Sequence, residues 1–339
     1  MDVYFDAERG SSAMKVTKGT WNGYDTYILK SQQLEVTLLP RLGNNVIGIR
    51  DLQEDREILR RPEESDLDFY LQKPYHFGMP MLMPPGRIRR GHFEYSGTTY
   101  QFDQNTANDN HIHGLHRTQA WRVSDIDEND EGCTITTELL TADDPNWMRQ
   151  YPIPLQLEMT LQLQGTSLMQ RMKITNLGDT SAPFGFGLHT WFLLDGEPQR
   201  WTLNIPVSDQ LLQDAEQIPT GEVVPLEEWE ELNTGMNMAN RNWDNLLRIG
   251  DKRPVSAELT RDDGYGIRYS ADPDYFKYWV LYTKGESDQY LCIEPYTTLP
   301  DAANSTHSQD FTGLIDVAPE QPVEFSLQID VIEKYTQLK

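Results

Sequence analysis

Residues 155–175 read LQLEMTLQLQGTSLMQRMKIT. Leu155, Leu157, Met159, Leu161 and Leu163 recur at every second position with Gln156, Glu158, Thr160 and Gln162 between them, the period of a strand with one apolar and one polar face. After Gly165-Thr166-Ser167 the alternation resumes, with Leu168, Gln170, Met172 and Ile174 set against Met169, Arg171 and Lys173. The two segments therefore predict an antiparallel hairpin. The same period of two returns at Leu34, Val36 and Leu38 and again at Val323, Phe325, Leu327, Ile329 and Val331, so the chain is expected to begin and end in strands.

Helical signals are few. Pro225 through Leu232 (PLEEWEEL) has Pro and Glu where a helix N-terminus favours them and predicts two helical turns. Nothing resembles a succession of strand, helix and strand, which argues against a doubly wound or barrel α/β enzyme and for an all-β protein, a large antiparallel β-sandwich with few short helices. Without a composition shift, Pro/Ser-rich linker or fixed-period repeat, residues 1–339 are expected to form one domain. The stretch from Arg60 to Pro74, rich in Asp, Glu and Pro, reads as a surface excursion without functional weight.

Charge narrows the partners. The 339 residues carry 53 Asp plus Glu against 29 Lys plus Arg, a formal charge of −24 with no basic run to offset it, so nucleic acid and anionic membrane surfaces are not expected partners. Apolar residues at 38% and charged residues at 24% suit a folded chain with a sizeable core. Cys133 and Cys292 make neither a disulfide framework nor a Cys-based metal site and read as small apolar fillers. The N-terminus, with Asp2, Asp6 and Glu8, lacks the pattern of a secretory signal, and no run of ~18 apolar residues occurs. A cytoplasmic protein is expected, in which the Asn304-Ser305-Thr306 sequon is idle.

Three segments carry unusual chemistry. Met79 through Gly91 delivers Arg87, Arg89 and Arg90 on a Pro/Gly-constrained loop beside an apolar run. HIHGLHRTQAW places His111, His113 and His116 within six residues; on a strand His111 and His113 would share a face, as some zinc sites require, yet the spacing selects no third ligand. The third is divided between FGFGLHTWF, with His189, and LCIEPYTTLPDAAN, where Glu294 follows three apolar residues. That carboxylate stands either at a strand end in water or desolvated in a cleft, where its pKa would rise toward neutrality. Trp191, Phe192 and Tyr296 lie close by, and flat aromatic faces beside polar groups suit a sugar ring as well as a core.

Taken in order, GRIRRGHFEYSGTTYQF, NDNHIHG followed by Trp121, GLHTWF, NWDNLL and CIEPYTTLPDAAN resemble the aldose 1-epimerase (galactose mutarotase) family over roughly Leu34 to Ile329, and LPRLGNNVIGIRD resembles its first strands. The resemblance implies a cofactor-independent, metal-free isomerase that interconverts sugar anomers. It makes Glu294 the catalytic base, His189 the acid at the ring oxygen, and Arg87, His113 and Asp244 the groups that hold the monosaccharide. Gly86 stands where the family has Asn, Leu115 where a second Gly is frequent, Leu193 where an Asn follows the aromatic pair, and Val280 where a sugar-binding Gln is expected. These departures put the particular sugar in question more than the chemistry. A hexose 6-phosphate epimerase, with Arg89 and Arg90 beside Arg87 as a dianion pocket, and a non-catalytic carbohydrate-binding protein remain open, as does the choice between monomer and homodimer. Glycoside hydrolysis would require Asp244 and Glu294 as a spaced carboxylate pair.

Overall fold

A computed structural model describes residues 14–250, 255–283 and 289–332. The expected hairpin is present: Leu155–Gln164 and Ser167–Asn176 pair antiparallel, with Leu163 opposite Leu168, Met159 opposite Met172 and Leu157 opposite Ile174. Gly165 at φ 55° turns the chain between them. Burial alternates residue by residue along the first strand, as its sequence requires.

This hairpin lies inside a nine-stranded antiparallel sheet. Val323–Ile332 inserts between Ser167–Asn176 and Gly266–Ala271, so segments distant in sequence close the sheet. Facing it is a second antiparallel sheet whose adjacent strands include Asp244–Arg248, Tyr278–Tyr282 and Tyr290–Tyr296. A five-stranded sheet is built from Lys15–Trp21, Tyr24–Lys30, Leu34–Leu39, Asn45–Asp51 and Arg56–Glu57. Leu34 and Val36 from this sheet, Leu157 and Leu161 from the nine-stranded one, and Trp279, Leu281, Leu291 and Ile293 from the second share one apolar core. The fold is the expected all-β sandwich. Of the terminal residues, 1–13 and 333–339 lie outside the described part, so the expectation that strands begin and end the chain is met only from Lys15 and up to Ile332.

One local expectation is met and one changes. PLEEWEEL forms its expected helical turns, as the 3₁₀ helix Glu227–Asn233. Its buried Leu226, Trp229 and Leu232 are spaced by three, which matches three residues per turn and aligns them on one edge. The Arg60–Pro74 stretch is no mere excursion. It contains the short helix Leu67–Gln72, whose Tyr70 is fully buried and accepts from the side chain of Asn45, and the guanidinium of Arg60 lies 5.0 Å over Trp191 and 4.5 Å over Tyr290.

The two faces of the central hairpin predict different sensitivities. Leu161→Ala, inside the core, should cost about 2–5 kcal/mol of stability in urea unfolding. Thr160→Ala, which removes only a half-buried cross-strand contact with Thr136, should cost less than about 1 kcal/mol.

Candidate active site

The strand Tyr290–Tyr296 sends alternate side chains in opposite directions. Leu291 and Ile293 enter the core, whereas Glu294 and Tyr296 line a cleft of about 410 Å³, within the size range of small-ligand sites. Glu294 thus does not stand at a strand end in water. It is paired opposite Val280 on one side, its strand neighbour Ile293 is paired opposite Thr190 on the other, and only 2% of it is exposed. The Tyr296 hydroxyl donates to Glu294 Oε2 at 2.6 Å.

His189 occupies the break between the short strands Gly187–Leu188 and Thr190–Leu193, and its backbone N–H donates to the Pro80 carbonyl at 3.0 Å. The break lets the imidazole turn into the cleft, where Nε2 lies 3.4 Å from Glu294 Oε1 and the ring stacks on Trp191 with centroids 5.1 Å apart. Its Nδ1 is buried without a hydrogen-bond partner. His113 stands edge-on to His189 at 5.7 Å.

All five residues singled out in the sequence, Arg87, His113, His189, Asp244 and Glu294, line this one cleft. The Gly86 N–H approaches His113 Nδ1 at 3.3 Å, so the neutral ring carries its proton on Nε2 and presents a donor. Among the described residues the Arg87 guanidinium has no ion-pair or hydrogen-bond partner, and its Nε is buried unpaired. Asp244 accepts a short hydrogen bond from the Gln217 side chain.

Burial dominates the electrostatics. It pushes His189 down to about 3, aided by repulsion from His76, and pushes His113 well below its ordinary value with help from His189, Arg117 and Arg87. Burial raises Glu294 well above the carboxylate range; the Tyr296 hydroxyl opposes that rise and Asp244 adds to it. Burial thus disfavours the charged form of each group and favours a neutral imidazole beside a protonated carboxyl. One proton belongs to the pair as a whole.

Several expectations are corrected by position. His111 and His113 do not share a face: the strand is only His111–Ile112, and His113 adopts φ 64°, which turns its ring to this cleft while His111 packs on Phe102. The third histidine, His116, is buried and bonded to the Met81 carbonyl. Arg89 and Arg90 line a neighbouring cleft, where Asp214 and Glu216 neutralise them, so they form no dianion pocket around Glu294. Gly86 cannot be Asn without strain, because its φ is 69° and a Cβ would lie 2.4 Å from Pro300 Cγ. Leu193 is not among the residues lining the cleft, whereas Val280 is.

Sequence reasoning missed Tyr75, His76, Gln213, Gln217 and Tyr282 in the same lining. No periodicity marks them; Gln217 is brought in by a turn at φ 57°, and Tyr75 by the segment following the Leu67–Gln72 helix. Cys292 lies on the same strand face, with donor atoms of His189, Cys292 and Glu294 within 4.8 Å of one another. These donor types suit zinc. The direct approach of the imidazole to the carboxyl also suits proton exchange.

A family model described as aldose 1-epimerase matches residues 25–330. The uncharacterized protein YihR of Escherichia coli K12 is 25% identical over 261 residues, 73% of this chain and 76% of that protein. A galactose mutarotase-like protein from Clostridium acetobutylicum superposes with TM-score 0.89 at 22% identity, covering 95% of this chain and all of that one. A galactose 1-epimerase from Lactobacillus acidophilus superposes at 0.76 with 16% identity, over 95% of this chain and all of that one. Among the described residues no helix is long and apolar enough to cross a membrane.

The burial of the histidines has a direct readout. In an NMR titration of the imidazoles, His113, His116 and His189 should remain neutral from about pH 8 to about pH 5, because burial disfavours their charged forms. Protonation of His189 near its ordinary value would contradict the desolvated site.

Proposed function

The chain belongs to the aldose 1-epimerase family, and from that premise we propose that it interconverts the α and β anomers of a free aldohexose by acid/base ring opening and reclosure. The observation that carries this reading is the approach of His189 Nε2 to Glu294 Oε1 at 3.4 Å in a cleft edged by Trp191, Tyr75 and Tyr282. A binding module has no use for a proton-exchanging pair at that place.

With the sugar seated, the pair's single proton passes from Glu294 to His189; Glu294 then accepts the proton of the anomeric hydroxyl, the C1–O1 bond becomes a carbonyl, the C1–O5 bond breaks, and O5 takes the proton of His189. That sequence leaves a neutral imidazole and a protonated carboxyl, which is the state burial favours. Rotation about C1–C2 presents the other aldehyde face. O5 then returns its proton to His189 as it attacks C1, and Glu294 gives its proton to O1. Atoms and protons balance, and the pair ends as it began.

The unpaired Arg87 and the Nε2–H of His113 supply donors for hydroxyls and for negative charge that develops on oxygen. Asp244, oriented by Gln217, accepts from hydroxyls. The aromatic walls meet the C–H faces of the ring.

Polarimetry on freshly dissolved α-glucose and α-galactose tests the reading. Glu294→Gln should slow anomer equilibration by about 10²–10⁴-fold while binding stays within a few-fold of the parent. Near-normal equilibration by that variant would remove Glu294 from the mechanism, and no acceleration by the parent protein on any aldose would make it a binding protein. Tyr296→Phe removes a donor to the carboxylate, so the Glu294 value should rise and the alkaline limb of kcat/KM should move to higher pH. A limb that stays in place or moves down would assign it to another group.

A further inference from the structure

Arg117 stands out among the arginines. Several that are buried or half-buried face acids: Arg261 meets Asp263 and Glu197, Arg248 meets Asp209, and Arg56 meets Asp195. Arg117 is half-buried, yet among the described residues its guanidinium has neither an ion pair nor a hydrogen-bond partner, although the chain carries 53 acidic residues. The favourable electrostatic influence on it is that of Tyr75, and burial disfavours its charge. Its N–H donors open into a cleft in which the described residues supply them no acceptor, and a planar fork of five such donors is shaped to take one.

The side chain lines a separate cleft of about 270 Å³. That cleft lies back to back with the sugar cleft: Pro74 and Gly114 face it, while their chain neighbours Tyr75 and His113 face Glu294. His111, 2% exposed, lines it too. Its Nδ1 lies 2.6 Å from the Asp103 carbonyl, which can only accept, so Nδ1 donates and the ring is fixed in the cleft wall. The carboxylate at the rim, Asp103, is held by Arg149 at 2.6 Å and does not reach Arg117.

We propose that this cleft binds a tetrahedral oxyanion, a phosphate or sulfate group, with Arg117 as the anchoring cation and Thr118 and Gln72 at its rim. The group arrives either as the free inorganic anion or as the substituent of a phosphorylated sugar. Two N–H groups of a guanidinium match two oxygens of such an anion in a planar fork, and the partial desolvation of Arg117 strengthens that contact against the negative field of the whole protein. No bond is made or broken in the step. The binding is independent of epimerisation and is measured without turnover, so its failure leaves the anomer reaction untouched.

Calorimetry at fixed ionic strength, with chloride as the reference anion, tests it on the full chain with inorganic phosphate, sulfate and glucose 6-phosphate. One saturable site is expected, weakened about tenfold or more in Arg117→Gln and retained in Arg87→Gln. Glucose 6-phosphate binding more tightly than phosphate, with that advantage lost in Arg117→Gln and kept in Arg87→Gln, would identify a sugar substituent as the source, and equal affinity a free anion. Absence of saturable binding by all three probes, equal affinity in Arg117→Gln, or loss in Arg87→Gln alone would overturn the assignment. A phosphate titration of the parent protein followed through the His111 imidazole resonances covers the case in which Arg117→Gln does not fold: they should shift with the same half-saturation, and their constancy would refute the site.

Discussion

A carboxyl group held at mid-strand inside a sheet is the constraint around which the site is arranged. Glu294 is almost wholly buried, so its stability in either protonation state depends on what the two neighbouring strands place beside it. The strand Tyr290–Tyr296 contributes the Tyr296 hydroxyl on the same face, and the Gly187–Leu193 segment contributes His189 at the gap between two short strands. A continuous strand would point residue 189 by simple alternation; the gap gives it a position of its own. Trp191 then covers the imidazole, and Arg60 covers Trp191 from a segment more than a hundred residues earlier. The desolvation that raises one group and lowers the other is thus built from contributions scattered along the chain.

In the proposed anomer exchange, the same desolvation lets the pair serve in both directions of one reaction. With a single proton between them, opening and closing of a sugar ring differ only in which partner holds it. The strong negative charge of the molecule is of little consequence for a neutral sugar. It does make uncompensated cations conspicuous. Most arginines of the chain meet acids, as Arg89 and Arg90 do through Asp214 and Glu216. Arg87 and Arg117, without such partners among the described residues, each line a cleft, and the wall between those clefts is the short turn and strand end that hold Tyr75 and His113.

How much of this could be read in advance differs by level. The hairpin at 155–176, the strand Leu34–Leu39 and the last strand Val323–Ile332 follow from alternation, because a half-buried strand imposes its period on the choice of side chains. The 3₁₀ helix at Glu227–Asn233 was less legible, since Leu226, Trp229 and Leu232 at a spacing of three satisfy either helix type. The Arg60–Pro74 stretch was misread, because a polar composition hides one fully buried tyrosine and a helix of six residues.

By itself the sequence determined the strand periods and the negative charge, and through the order of its motifs it singled out Arg87, His113, His189, Asp244 and Glu294 as candidates. Local pattern carries such information because it depends on neighbours one or two positions away. Only the tertiary structure decided that those five meet in one cleft, that His111 and His113 part company at a left-handed residue, that Arg89 and Arg90 belong elsewhere, and that Gln217 and Tyr75 belong to the site. Those facts rest on long-range strand pairing and on burial, and the protonation of His189 and Glu294 depends on burial most of all. Burial is a property of the assembled sheets, and no residue carries it alone.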